Sequence, residues 1–219
     1  KNLQKLIGTK IMWSIVDYFK PGAELARAVS ENLLDNLDSN VIFLCNHGVV
    51  IGGESVKDIE IILEKLIIML KNPINKILID VNTIQKDQTL QLQGYTLNID
   101  KEINQLATNK FLSKRLRNDW TLYPDHAVFL GDPANILGYS ITSKGLSNMI
   151  NNKPTFIFDE SLGVYESDEV TLAQKAQLQC YYDVLIRQPI NEKLVSLSQN
   201  SINELLQWDA EKYRQLQSE

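Results

Sequence analysis

The stretch Val41-Ile42-Phe43-Leu44-Cys45-Asn46-His47-Gly48-Val49-Val50-Ile51-Gly52-Gly53-Glu54-Ser55 decides how this chain is read. Val41–Cys45 is an unbroken apolar run with β-branched and aromatic members, which predicts a buried strand. Asn46-His47-Gly48 reads as a turn, and Val49–Ile51 as a second short strand. Gly52-Gly53 then breaks the pattern. Ser55 is placed to cap a helix running to about Asn72, with Asp58 three residues on as a capping-box-like partner. Pro73 stops that helix.

Upstream, Pro21-Gly22 precedes the helical spacing of Leu25, Ala26, Val29, Leu33, Leu34 and Leu37. Pro21 is expected at the first helical position, where no N–H partner is needed. Downstream, Lys76–Val81 reads as a strand, and Ile103–Asn118 as one basic helix. Tyr123-Pro124-Asp125-His126 reads as a turn leading into a strand at Ala127–Leu130. Thr155–Phe158 predicts another strand, Asp159–Gly163 a turn, and Val164-Tyr165 the return of a hairpin. Glu169–Gln188 is a long helix stopped by Pro189, and Asn200–Gln217 a final amphipathic one.

The decisive stretch has a faint second copy. Val41–Glu54 lies on Phe156–Glu169 at an offset of 115, with Ile42/Ile157, Phe43/Phe158, Gly48/Gly163, Val49/Val164 and Glu54/Glu169 identical. The shared plan of strand, glycine turn, short strand, long helix and proline stop predicts two similar α/β units in tandem. We place them at 1–104 and 105–219. His47 then corresponds to Leu162, so the second copy lacks whatever His47 does.

Composition bounds the function. A net charge of −5 over 219 residues leaves no cationic excess to neutralise phosphates, so no nucleic-acid partner is expected. The most apolar segment, Ile59–Leu70, is interrupted by charges and is too short to span a bilayer, so no membrane partner is expected. Cys45 and Cys180 make no disulfide framework and are expected as buried free thiols, which suits a cytoplasmic location.

Few residues can carry chemistry. There is no phosphate-binding glycine loop, dinucleotide fingerprint or nucleophile elbow. The two histidines are His47 and His126. His47 follows a strand and precedes a glycine, so its imidazole is expected at a rim. It suits either metal ligation or a hydrogen-bonded structural role. Asp125 and His126 are adjacent, so they need not point at the same atom. They border a site or simply form a turn. Lys110, Lys114, Arg115 and Arg117 read as a solvated helix face, with an anion or partner site as the other reading.

The segment from Ile42 to Ser55 resembles the Asn-His-Gly segment of the class II aldolase/adducin family. Tyr18-Phe19-Lys20-Pro21-Gly22-Ala23-Glu24-Leu25-Ala26 is similar to that family's Pro-Gly segment. Leu122–Gly131, Ser161–Tyr165 and Trp208–Arg214 resemble the extra region of its long bacterial branch. The resemblance implies a three-layer α/β/α fold and a divalent metal, usually zinc, held by three histidines. His47 matches the last of them, and Asn46 and Gly48 shape the turn that aims it. The implied activity is cleavage of a carbon–carbon bond in a sugar phosphate, with zinc polarising the carbonyl. Adducin implies the alternative of a noncatalytic binding or assembly module, and similar folds also support sugar-phosphate epimerases.

The family's other ligands and its acidic catalytic residue lie N-terminal to Asn-His-Gly. The 46 residues before His47 contain no histidine. The chain therefore resembles the C-terminal portion. It is expected to work as a homo-oligomer or by pairing with a chain that carries the N-terminal half.

Overall fold

In a computed structural model, residues 2–71, 74, 92–138, 143–209 and 213 are described. The expected strand at Lys76–Val81 lies outside them. The chain divides into two compact units, Lys1–Pro73 and Ile74–Glu219. The boundary therefore falls at residue 73 rather than 104. Residues 95–108 belong to the second unit because they pair with and pack on its hairpin.

The first unit runs α1 (Asn2–Leu6), β1 (Trp13–Val16), α2 (Ala23–Asp35), β2 (Val41–Leu44), β3 (Gly48–Ile51) and α3 (Val56–Leu70). Its sheet has the order β1-β2-β3, with β1 and β2 parallel and β2 and β3 an antiparallel hairpin. Parallel neighbours need a crossover, and α2 provides it. Gly22, at φ 124, stands just before α2, so Pro21 lies outside the helix and not at its first position. Asn32 of α2 accepts the Ser14 hydroxyl and donates to the Ile15 carbonyl at 3.1 Å, fixing the helix to β1. Ser55 caps α3 as expected, its Oγ accepting the Asp58 amide at 3.2 Å.

The core of this unit is small. Ile7, Ile11, Val41 and Leu66 are buried, with Trp13, Phe43, Ile51 and Ile62 packed against them. Trp13 meets Phe43 edge-on at 5.9 Å. Leu66 is the one buried residue of α3, although that helix is apolar on most sides, and α2 buries none of its residues. Leu34, Leu37, Val56, Ile67 and Ile68 are exposed, so much apolar surface of this unit lies outside its core.

The second unit runs β4 (Tyr95–Leu97), α4 (Lys101–Thr108), α5 (Lys110–Asn118), α6 (Pro124–Leu130), β5 (Ile136–Leu137), α7 (Ser143–Asn151), β6 (Phe156–Asp159), β7 (Gly163–Ser167), α8 (Leu172–Leu185) and α9 (Gln199–Leu206). Its sheet has the order β4-β7-β6-β5, with β5 and β6 parallel and the other pairs antiparallel. Every residue of β6 is buried. Phe156, Phe158 and Val164 pack with residues of α4, α5 and α8. Ile157 and Tyr165 face the other way, toward Leu146, Met149 and Ile150 of α7. This alternation is the period-2 pattern of a strand covered on both sides.

Two element assignments change. The single helix expected over Ile103–Asn118 is α4 and α5, because the Asn109 side chain accepts the amides of Phe111 and Leu112 and starts a new helix. Ala127–Leu130 belongs to helix α6, not a strand. Pro124 opens that helix and Gly131, at φ 75, closes it. Six of its seven residues are buried, and a fully buried short helix shows the same apolar run as a strand.

The hairpins β2–β3 and β6–β7 share one register at the 115-residue offset. Leu44 opposes Gly48 as Asp159 opposes Gly163, and Val41 opposes Ile51 as Phe156 opposes Glu166. Each hairpin has a parallel strand on the same edge, β1 or β5, and is followed by a hydroxyl-capped helix, at Ser55 or Thr171. The chain is therefore mixed α/β with two similarly wired units. Among the described residues, no helix is long and apolar enough to cross a membrane.

Candidate functional site

The turn at Cys45-Asn46-His47 is built by three backbone choices. The Cys45 amide donates to Val16 O at 3.0 Å, which extends the parallel β1–β2 pairing into the turn. Asn46 adopts φ 55, a left-handed conformation that asparagine tolerates better than most residues. The His47 amide then returns to Leu44 O at 3.1 Å, and Gly48 opens β3. The turn thus stands at the carboxyl ends of β1 and β2, where ligand sites of α/β sheets gather. His47 and Gly48 are exposed, and Asn46 is half-buried.

Whether these residues fit a zinc ion follows from their chemistry. His47 offers one accessible imidazole. Cys45 is half-buried, and its pKa is raised by burial and then by the Asp17 carboxylate. Among the described residues, no group of three His, Cys, Asp or Glu side chains is placed to hold a metal. A catalytic zinc takes three protein ligands, so these residues do not form such a centre by themselves.

Asp125 and His126 belong to the second unit and diverge. Asp125 is partly exposed, and Gln177 Nε2 of α8 approaches it at 3.5 Å. His126 is fully buried. Its ring is met edge-on by Trp120 at 4.2 Å, Tyr181 at 4.7 Å and Tyr123 at 5.5 Å. Its Nε2 accepts the Thr121 amide at 3.4 Å, and Nδ1 has no partner among the described residues. Burial pulls its pKa down to about 3, so it is a neutral core histidine. It does not border an open site.

The basic helix is a solvated face at Lys110, Lys114 and Arg117, as expected, but not at Arg115. Arg115 is buried. Its Nη1 donates to Asp119 at 2.6 Å, and its Nη2 donates to Pro189 O at 2.6 Å and Glu192 O at 3.1 Å. Arg117 pairs with Glu160 at 2.8 Å. Lys110, Lys114 and Lys193 line a groove beside Phe111 and Ile190, together with the exposed Glu192.

One structural lock escapes sequence reading. Asn104 of α4 donates to Asn98 O and accepts the Val164 amide, both at 2.8 Å, so one side chain locks the second hairpin. The only sequence signal for it is the repeated glycine, Gly48 and Gly163. That glycine marks a tight approach without saying what approaches.

No family model, curated protein or solved structure matches the chain.

Proposed function

We propose that this chain is the Asn-His-Gly-bearing portion of a class II aldolase-like, metal-dependent lyase that cleaves a carbon–carbon bond of a sugar phosphate. The observation that supports it is the exposed His47 imidazole, held by the left-handed Asn46 turn at the carboxyl ends of the parallel strands. Zinc, or another divalent ion, would polarise the substrate carbonyl when bound. His47 supplies one ligand, and the others come from beyond the described residues, in an N-terminal extension of this chain, a second polypeptide or a second copy. Helices on both faces of the second sheet agree with a three-layer α/β/α architecture. The free thiols agree with a reducing cytoplasm.

Metal content per chain, measured by mass spectrometry on the complete assembly and its His47→Ala variant, tests this reading. Near-stoichiometric divalent metal, lost together with retro-aldol turnover in the variant, is expected. Metal or turnover that survives His47→Ala overturns it, and an epimerised product without cleavage replaces lyase by epimerase.

One observation favours a second reading, an adducin-like binding or assembly module. The first unit exposes Leu34, Leu37, Val56, Ile67 and Ile68, more apolar surface than a self-sufficient small unit leaves bare. This reading expects no metal and a stable oligomer, and light scattering that returns a lone monomer counts against it.

A further inference from the structure

The two hairpins have the same register but not the same cover. On the outer edge of β7, β4 pairs antiparallel, Leu97 opposite Tyr165 and Tyr95 opposite Ser167, and the Asn98 amide donates to Val164 O at 2.8 Å. α4 follows, and its Asn104 carboxamide takes the Val164 amide. Val164 is 0% exposed and Tyr165 2%. Their counterparts Val49 and Val50 are 42% and 40% exposed. Among the described residues no strand pairs with the outer edge of β3. The shared register turns the Val49 N–H and C=O to that edge, as it does for Val164.

The glycines record the same difference. A Cβ built on Gly163 would collide with the Asn104 side chain, whereas a Cβ on Gly48 would meet nothing within 4 Å. The equivalent space above Gly48 is therefore open. An exposed edge of apolar residues is a template for strand addition. The strand and helix of this kind that the structure describes, β4 and α4, are already seated on β7.

We propose that the outer edge of β3 accepts a strand followed by a helix, carried by another polypeptide. The strand pairs antiparallel along Val50–Gly52, and the helix lays an amide side chain over Gly48 onto the Val49 amide, as β4 and α4 do for β7. This deepens the pairing with a second polypeptide proposed above, and it rests on the repeat rather than on His47.

The test uses the full chain and a synthetic peptide with the sequence of Gly94–Thr108 as probe, followed by amide hydrogen exchange and fluorescence anisotropy. In the chain alone, the amides of Val49 and Ile51, which the register turns outward, are expected to exchange freely, whereas Val50 is held by its pairing with Ile42. Saturating peptide slows the two outward amides about tenfold or more, the worth of newly made hydrogen bonds. Gly48→Ala keeps the melting temperature of the chain and weakens peptide binding about tenfold, and Asn104→Ala in the peptide does the same. Val49→Lys, which puts a charge on an already exposed position, is the second blocking variant.

Slow exchange of the Val49 and Ile51 amides in the chain alone overturns the proposal, because the edge is then filled by the chain itself or by a second copy, which light scattering separates. Absence of binding at about 1 mM peptide overturns it too, as does binding that neither Gly48→Ala nor Val49→Lys weakens. No metal or substrate enters this experiment, so its failure leaves the His47 reading standing, and the reverse also holds.

Discussion

Asn104 occupies the space that a side chain on Gly163 would need, and from there it accepts the Val164 amide at 2.8 Å. Gly163 also sits at φ 138, a conformation that L residues rarely adopt. Gly163→Ala therefore carries two costs, backbone strain and displacement of the Asn104 carboxamide. A loss of about 1–3 kcal/mol is expected in chemical denaturation. Gly48→Ala faces open space at an ordinary φ, and is expected to stay within about 0.5 kcal/mol of the parent. Equal losses in the two variants would show that the hairpins are covered alike.

Arg115 and Asp119 form a buried ion pair at 2.6 Å, each side chain 6% exposed. The guanidinium also holds the Pro189 and Glu192 carbonyls. Removing one charge strands the other in a medium that solvates it poorly. Asp119→Ala is expected to cost about 3–5 kcal/mol, read as a lower denaturation midpoint at unchanged slope. The double variant Arg115→Met with Asp119→Ala recovers part of that loss, because no bare charge remains. A double variant no more stable than Asp119→Ala alone would mean that the tie to Pro189 and Glu192 carries the effect.

These two relationships show where sequence reading stops. The hairpin at Val41–Ile51, its repeat at Phe156–Ser167 and the Ser55 cap were legible because each rests on neighbours in sequence. Strand runs, turn glycines and caps are local signals. Asn104 was not legible, because its partner Val164 lies 60 residues away and an asparagine early in a helix has many ordinary uses. Arg115 was hidden inside a basic run, since composition does not say which of four cations turns inward. The His47 turn was readable as a turn and a rim position. A complete ligand set was not readable, because such sets are assembled from distant segments.

The cysteines separate by environment. Both were expected as buried thiols, yet Cys180 is exposed and Cys45 is half-buried. The Cys45 thiol is held up in pKa by burial, with the Asp17 carboxylate adding to it, so less thiolate is present at neutral pH. An aromatic disulfide reagent at pH 7.5 is expected to modify Cys180 about tenfold faster than Cys45 or more. Cys180→Ser leaves a single slow phase, and Cys45→Ser leaves the fast one. Charge reversal on the neighbour, Asp17→Lys, should speed the slow phase. If the fast phase instead survives Cys180→Ser, the reactive thiol is Cys45 and the burial argument fails.

His126 gives the fold a pH dependence whose sign follows from its burial. Its folded pKa is lowered to about 3 by desolvation, against about 6.5 for an exposed histidine. Between those values the unfolded chain binds a proton that the folded chain refuses. Stability therefore falls as pH drops below about 6.5, at up to about 1.4 kcal/mol per pH unit. Native carboxylates contribute mainly below pH 5, so the window from 6.5 to 5 isolates the histidine. About 2 kcal/mol is expected to be lost across it. His126→Phe keeps an aromatic ring among Trp120, Tyr123 and Tyr181 but leaves the Thr121 amide without its acceptor, so the variant is less stable at every pH. Its slope, however, should flatten in that window, and the slope separates titration from packing. Denaturant melts at pH 6.5, 5.75 and 5 give both numbers. An unchanged slope in His126→Phe would assign the acid sensitivity to another group.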